Sequence, residues 1–268
     1  MTVSDIAIYF INVHNNLMLK FYATPLSLNL IHLTSTITGL IYMWFYPPTL
    51  FDGFLVLFGY FLLAGIGNEI FYHRYVSHKC FKTYKFIEII GIGIGMLAGR
   101  GSPTDWTAIH RYHHKFADTD KDPHNPRKES WRIFFPYFLK YDNQVNPFAV
   151  KDLLRSPVHR FITKYYNVII IVFAVMLALI DISLFFYLWV IPVALTGWMI
   201  ALGTHLDHVY GYRNYETADQ SKNNWLMAIL LWGHGWHNNH HADPLKWNLR
   251  DKWWELDVCG WIISVIKR

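Results

Sequence analysis

Charge is scarce in this sequence. Only 16% of its 268 residues are Asp, Glu, Lys or Arg, against 53% hydrophobic and 18% aromatic, where a soluble domain carries about 25% charged residues. That shortfall argues against an ordinary water-soluble domain and against disorder, which needs low hydrophobicity and high charge. Cysteine is nearly missing too. Cys80 and Cys259 allow one bridge at most, which rules out a disulfide scaffold and makes free thiols the expectation. Nor can two cysteines hold an iron–sulfur cluster, which usually takes four, and no haem or flavin motif is found. Residues 1–27 lack a basic start followed by an apolar stretch, so no cleavable signal is expected and the segment reads as an amphipathic surface helix. The length suits a single domain over 1–268.

What is present instead is long apolar sequence. Leu28 to Phe45 is uncharged, a turn is expected from Tyr46 to Gly53 through Pro47, Pro48 and Asp52, and Phe54 to Asn68 is uncharged again, running on through Glu69 to His73. From Tyr165 to Thr204 the only charge is Asp181, expected in a second turn with Ile182 and Ser183, and Pro192 is placed to kink the later helix. About 20 residues span a bilayer as helix. The pattern predicts an all-α integral membrane protein with four transmembrane helices in two hairpins, about 28–73 and 165–205, and a helical cytoplasmic cap from 74–164 and 206–268. Phe86 to Ala98 is apolar but too short to span. It is expected at the interface or packed beneath the cap, its Gly91, Gly93 and Gly95 favouring close approach.

Of 24 Lys and Arg, one (Lys20) precedes the first run, sixteen lie from Arg74 to Lys164, and seven follow Tyr210. Neither turn has any, so both termini and the cap are expected in the cytoplasm. The formal charge of +5 then faces anionic lipid, and no nucleic acid is implied.

Fifteen histidines cluster where the hairpins end. His110, His113 and His114 stand at i, i+3 and i+4, as do His237, His240 and His241, so each trio shares one stripe of a helix. His205 and His208 are three apart. His73 and His78 are five apart, about 140° around a regular helix; from such a helix they cannot both address one ion, so they serve different ions or bracket a helix end. His14, His32, His124 and His159 are expected to be ordinary satisfied groups. So many neighbouring imidazoles are mutually compatible when neutral and metal-bound. Their number exceeds one ion's capacity, and all-imidazole ligation suits iron, zinc, copper or nickel.

His73-Arg-Tyr-Val-Ser-His78, His110-Arg-Tyr-His113-His114 and Gly235-Trp-His237-Asn-Asn-His240-His241 resemble the three histidine boxes of membrane fatty-acid desaturases, and the four-residue gap in the first is similar to the delta-9 branch. Asp118 to Asn125, His208-Val-Tyr-Gly211 and Lys252-Trp-Trp-Glu255-Leu-Asp257 resemble the flanks in that branch. The resemblance implies two irons on His73, His78, His110, His113, His114, His208, His237, His240 and His241. It also implies dioxygen as co-substrate and insertion of a cis double bond into a saturated chain carried as acyl-CoA or acyl-lipid. Two electrons would come from outside, by resemblance from cytochrome b5 or a ferredoxin. The expected membrane is the endoplasmic reticulum of a eukaryote or the inner membrane of a bacterium. A diiron hydroxylase on the same scaffold, or a membrane metal-binding or transport protein, is the alternative.

Glu69, Asp118, Asp120, Asp122 and Asp207 are candidates to orient imidazole N–H groups, with Asp118 and Asp120 as readily solvated. Trp106 is a candidate tunnel or core residue, and Arg127, Lys128 and Lys140 are candidates for an anionic headgroup. Relatives often carry an asparagine, which helps hold a water at one iron, where this chain has Thr204, and an acidic residue where it has His234. His205 has no counterpart. His234 falls on the helical stripe of His237 and His241 and is expected near the metals; His205 is expected at the interface.

Overall fold

The computed structural model describes residues 25–123, 125, 126, 131–134 and 147–268. The readings on residues 1–24, His124, Arg127, Lys128 and Lys140 lie outside the described residues. Among these, every regular element is a helix and only isolated bridges pair extended backbone.

The first hairpin comprises α1 (Pro25–Phe45) and α2 (Leu50–Ser77). Its turn is shorter than the proline and Asp-Gly content predicts. Thr49 accepts from the Asp52 N–H while its own N–H donates to the Asp52 carboxylate. This reciprocal cap makes Leu50 to Gly53 the first turn of α2 instead of loop.

From Phe61 to Ser77 α2 winds as a π-helix, and the His78 N–H still donates to the His73 carbonyl at 3.1 Å. Bonding from i to i+5 brings residues five apart back to nearly the same side. That is the physical reason His73 and His78 do face one site, against the expectation drawn from 3.6 residues per turn.

α3 (Lys85–Leu97) lies against the π segment, and α4 (Pro103–Phe116) follows. Of the three expected glycines, two are needed for this packing. A methyl on Gly91 would overlap the Phe71 ring, and one on Gly95 would press on Tyr72, whereas Gly93 faces open space. After α5 (Trp131–Phe134) and α6 (Lys151–Arg155) comes the second hairpin. α7 (Pro157–Ile180) begins eight residues earlier than the apolar run suggests, because Ser156 caps it and Pro157 occupies its first position. Asp181 alone separates α7 from α8 (Ile182–Val209), its carboxylate accepting from the Ser183 and Leu184 N–H groups. Around Pro192 the helix continues through a π stretch, Phe185–Val190, so the missing N–H is absorbed by a wider turn rather than a break. α2 passes close by there: a methyl on Gly59 would strike the Leu188 carbonyl and Pro192.

Among the described residues three helices, α2, α7 and α8, are long and apolar enough to cross a membrane. Leu63, Tyr72, Met96, Tyr166, Ile170, Trp189 and Val193 form the core between them and α3, while Leu57, Ile171, Val175 and Leu179 are exposed on the outside. Three short helices end the chain: α9 (Trp225–Leu230), α10 (His237–Ala242) and α11 (Val258–Ile266). Both cysteines are free thiols.

Candidate metal centre

Four elements bring nine histidines together at the ends of α2 and α8. The end of α2 supplies His73 and His78, α4 supplies His110, His113 and His114, α8 supplies His208, and α10 supplies His237, His240 and His241. They form two groups. His73, His78, His110, His114 and His240 have ligand atoms within 4.8 Å of one another, and so do His113, His208, His237 and His241. The i, i+3, i+4 trios of α4 and α10 thus each serve both groups. The His114 and His241 rings stack at 4.4 Å across the divide.

In the first group the Nε2 atoms converge: His73 to His240 2.9 Å, His78 to His110 2.7 Å, His110 to His114 3.1 Å and His114 to His240 3.0 Å. In the second, His208 and His237 approach at 3.1 Å, and the buried His241 Nε2 has no hydrogen-bond partner. Donors about 2.1 Å from a common ion and at right angles stand about 3 Å apart. Imidazoles converging on Nε2 in this way fit a metal in each group.

Carboxylates hold the opposite edges of four rings. Glu69 accepts from His73 Nδ1 at 3.0 Å, Asp122 from His113 at 2.9 Å, Asp118 from His208 at 2.9 Å and Asp219 from His241 at 2.9 Å. Such bonds fix the tautomer that leaves Nε2 as the donor to a metal. Asp118, at φ +61°, is therefore part of the centre, and it also accepts from the Gln220 N–H. Asp120 is exposed. Asp207 differs from expectation: both its carboxylate oxygens are buried without a hydrogen-bond partner, near His234 and His237.

His234 is not on the stripe of α10. Positive φ at Trp232 and Gly233 breaks the chain before that helix, and the ring turns instead to Glu69, with Nδ1 to Oε2 at 2.8 Å. Glu69 thus serves His73 and His234 together. His205 lies away from both groups, with Nδ1 3.1 Å from the Pro126 carbonyl. Thr204 donates to the Ile200 carbonyl at 2.9 Å. Trp106 stacks on His110 at 4.7 Å.

Burial, then the neighbouring imidazoles, hold His78, His110, His114, His237 and His240 well below the usual histidine range, and His241 falls to about 4. Burial opposes charge on His113 and His234 as well, but Asp122 and Glu69 outweigh it and raise both.

Three supports have no signal in the spacing. Arg74, fully buried, reaches Asp257 at 2.7 and 3.0 Å, Glu69 at 3.0 Å and the Trp247 carbonyl at 2.8 Å, tying the C-terminal segment to the turn that carries His73. Asn239, between two ligands of α10, bonds Glu255 and Asn223. Asp219 sits in a loop, separated from His241 by 22 positions. Only Arg74, a charge beside His73 in the first histidine box, could have been suspected.

The fatty acid desaturase family model matches residues 18–263. The chain belongs to the fatty acid desaturase family. It is an acyl desaturase by that membership. Among its relatives, the sn-1 stearoyl-lipid 9-desaturase of Anabaena variabilis is 32% identical over 78% of this chain and 78% of its own length. Delta-9 acyl-lipid desaturase 1 of Arabidopsis thaliana is 33% identical over 76% of this chain and 69% of its own. The acyl-CoA C20 Delta5-desaturase of Anemone leveillei is 32% identical, covering 86% and 77% respectively.

Proposed function

We propose that this desaturase inserts a cis double bond, of delta-9 type, into the saturated acyl chain of a lipid or acyl-CoA. It would use dioxygen, two external electrons and two irons. One iron would be held by His73, His78, His110, His114 and His240, the other by His113, His208, His237 and His241. The observation that carries this reading is the division of nine histidines into groups of five and four with Nε2 atoms turned inward. When bound, the irons supply dioxygen activation and the removal of two hydrogens from adjacent methylenes. The chain's own part is to orient the rings through Glu69, Asp118, Asp122 and Asp219, and to keep the centre out of bulk water.

The proposed topology is four spans, with α1 pairing α2 and α7 pairing α8. The turns at 46–49 and Asp181 would lie outside, and both termini and the cap in the cytoplasm. One domain covers 1–268. The absence of Lys and Arg from both turns supports it, as does the bond from the Tyr187 hydroxyl to the Tyr46 carbonyl, which joins the two outer ends. The membrane would be the endoplasmic reticulum in a eukaryote or the inner membrane in a bacterium.

Expression in a host lacking its own desaturase, followed by fatty-acid profiling, tests the reading. A monounsaturated product that disappears in His240→Ala is the expected result. A hydroxylated product with no new double bond would move the assignment to a hydroxylase.

A further inference from the structure

Two stretches of the C-terminal region do not look like parts of a water-exposed cap. Trp225 to Trp232 and Val258 to Ile266 contain no charged residue. Helices on a soluble cap place polar residues outward. Here the outward residues are Trp225, Leu226 and Ile229 on α9, and Trp261 and Val265 on α11, from 42% to 83% exposed.

The inward sides of both stretches lie along the middle of α2. The Tyr60 hydroxyl donates to the Leu230 carbonyl at 2.6 Å, the Trp232 ring lies 4.8 Å from Phe61, and the Cys259 thiol is 3.6 Å from the Gly65 carbonyl. At 1.5 Å per residue, Tyr60 stands about 15 Å and Gly65 about 22 Å from Leu50; π winding, with its wider turns, does not lengthen that path. Both depths fall inside a hydrocarbon core of about 30 Å.

Backbone buried in lipid must find its partners inside the protein, and the C-terminal end of α9 does so. The Trp232 carbonyl accepts from the Cys259 N–H at 3.0 Å, the Ala228 carbonyl from the Gly233 N–H at 2.7 Å, and the Met227 carbonyl from the Leu231 N–H at 2.8 Å. Asn224 caps the opposite end through the Leu226 and Met227 N–H groups.

We propose that α9 with the turn through Trp232, and α11, are immersed in the hydrocarbon of the inner leaflet beside α2, with lipid acyl chains against Trp225, Ile229, Trp261 and Val265. The inference rests on the topology proposed above, which sets the 46–49 turn at the outer surface. The third histidine box is then mounted on a membrane-seated hairpin, and the water-exposed cap is smaller than 206–268.

The test uses the full chain with Cys80→Ser, Cys259 being buried, reconstituted in lipid nanodiscs. Leu57→Cys, Ile229→Cys, Val265→Cys and Glu216→Cys are spin-labelled one at a time. Relaxation by oxygen, which partitions into lipid, is compared with relaxation by a water-soluble nickel chelate. Leu57 is exposed on the apolar face of α2 and Glu216 is exposed in a charged loop. The expected result groups Ile229 and Val265 with Leu57, accessible to oxygen and shielded from nickel. If either groups with Glu216, the proposal is overturned while the spans stand. If Leu57 itself is open to nickel, the span assignment fails and takes the proposal with it.

Discussion

Glu69 accepts hydrogen bonds from His73, a candidate ligand, and from His234, the residue that replaces the acidic group of the resembling boxes. Replacing His234 by alanine removes one of the two imidazoles positioned by that carboxylate. Loss of such a partner costs 10–100-fold in activity or metal affinity, and that loss is the expected outcome for His234→Ala, read as turnover and iron content together. His205→Ala should retain near-full activity, because its ring bonds a loop carbonyl away from both groups. Thr204→Asn should keep two irons and equal or higher activity, since the threonine hydroxyl is spent on its own helix while an amide offers more donors and acceptors. Full activity and iron in His234→Ala would make that histidine a bystander.

Acid should act on the candidate ligands themselves. In the folded state His78, His110, His114, His237 and His240 resist protonation, whereas the unfolded chain titrates them near the ordinary 6.5. As pH falls below about 6.5 the unfolded state takes up protons first, so their contribution is intact above that value and lost below it. Metal release runs the same way, because each ligand must be neutral. Iron content and melting temperature of the holoenzyme are expected to be level above pH 7 and to fall together on acidification below about 6.5. A flat response down to pH 5 would contradict it.

At the scale of elements, the periodicities of the α4 and α10 histidines were legible, since both trios lie on ordinary helical turns. The spacing of His73 and His78 was not. A regular period set them 140° apart, and only the π winding of α2, whose Phe71 and Tyr72 pack against Gly91 and Gly95 of α3, reunites them. The turns were misjudged for a related reason: Pro47 and Pro48 are visible, but the reciprocal Thr49–Asp52 cap that starts α2 early is a matter of side-chain geometry. Asp219 and Asn239 were illegible because their partners are distant in sequence or hidden by loop geometry. The contact that fixes the π segment can be probed with two alanines on α3. Gly91→Ala overlaps Phe71, two positions before His73, and overpacking of this kind costs about 1–3 kcal/mol. Gly93→Ala meets nothing and should gain about 0.8–1.0 kcal/mol from helix propensity. Melting temperatures in detergent should move in opposite directions, with iron loss in Gly91→Ala alone.

At the scale of the whole molecule, we propose that chemistry and electron supply are separated. The nine histidines converge at one end of α2 and α8, and the two cysteines of the chain are free thiols far too few for a cluster. We propose that the two electrons per turnover arrive from an acidic carrier of the cytochrome b5 or ferredoxin kind, docking on the proposed cytoplasmic side, to which the sequence from 74 to 164 contributes sixteen Lys and Arg, Arg74 itself being buried. Association steered by opposite charges weakens as salt shortens the screening length from about 10 Å at 0.1 M to about 3 Å at 1 M. The purified protein with NAD(P)H and oxygen alone is therefore expected to make no unsaturated product. Adding a reduced carrier and its reductase should start turnover, and raising salt should slow it by increasing the carrier's KM while leaving kcat near its low-salt value. Salt-independent KM would mean that charge does not guide the encounter. Turnover without any carrier would mean that the chain accepts electrons directly, and the division of labour between this protein and a partner would be wrong.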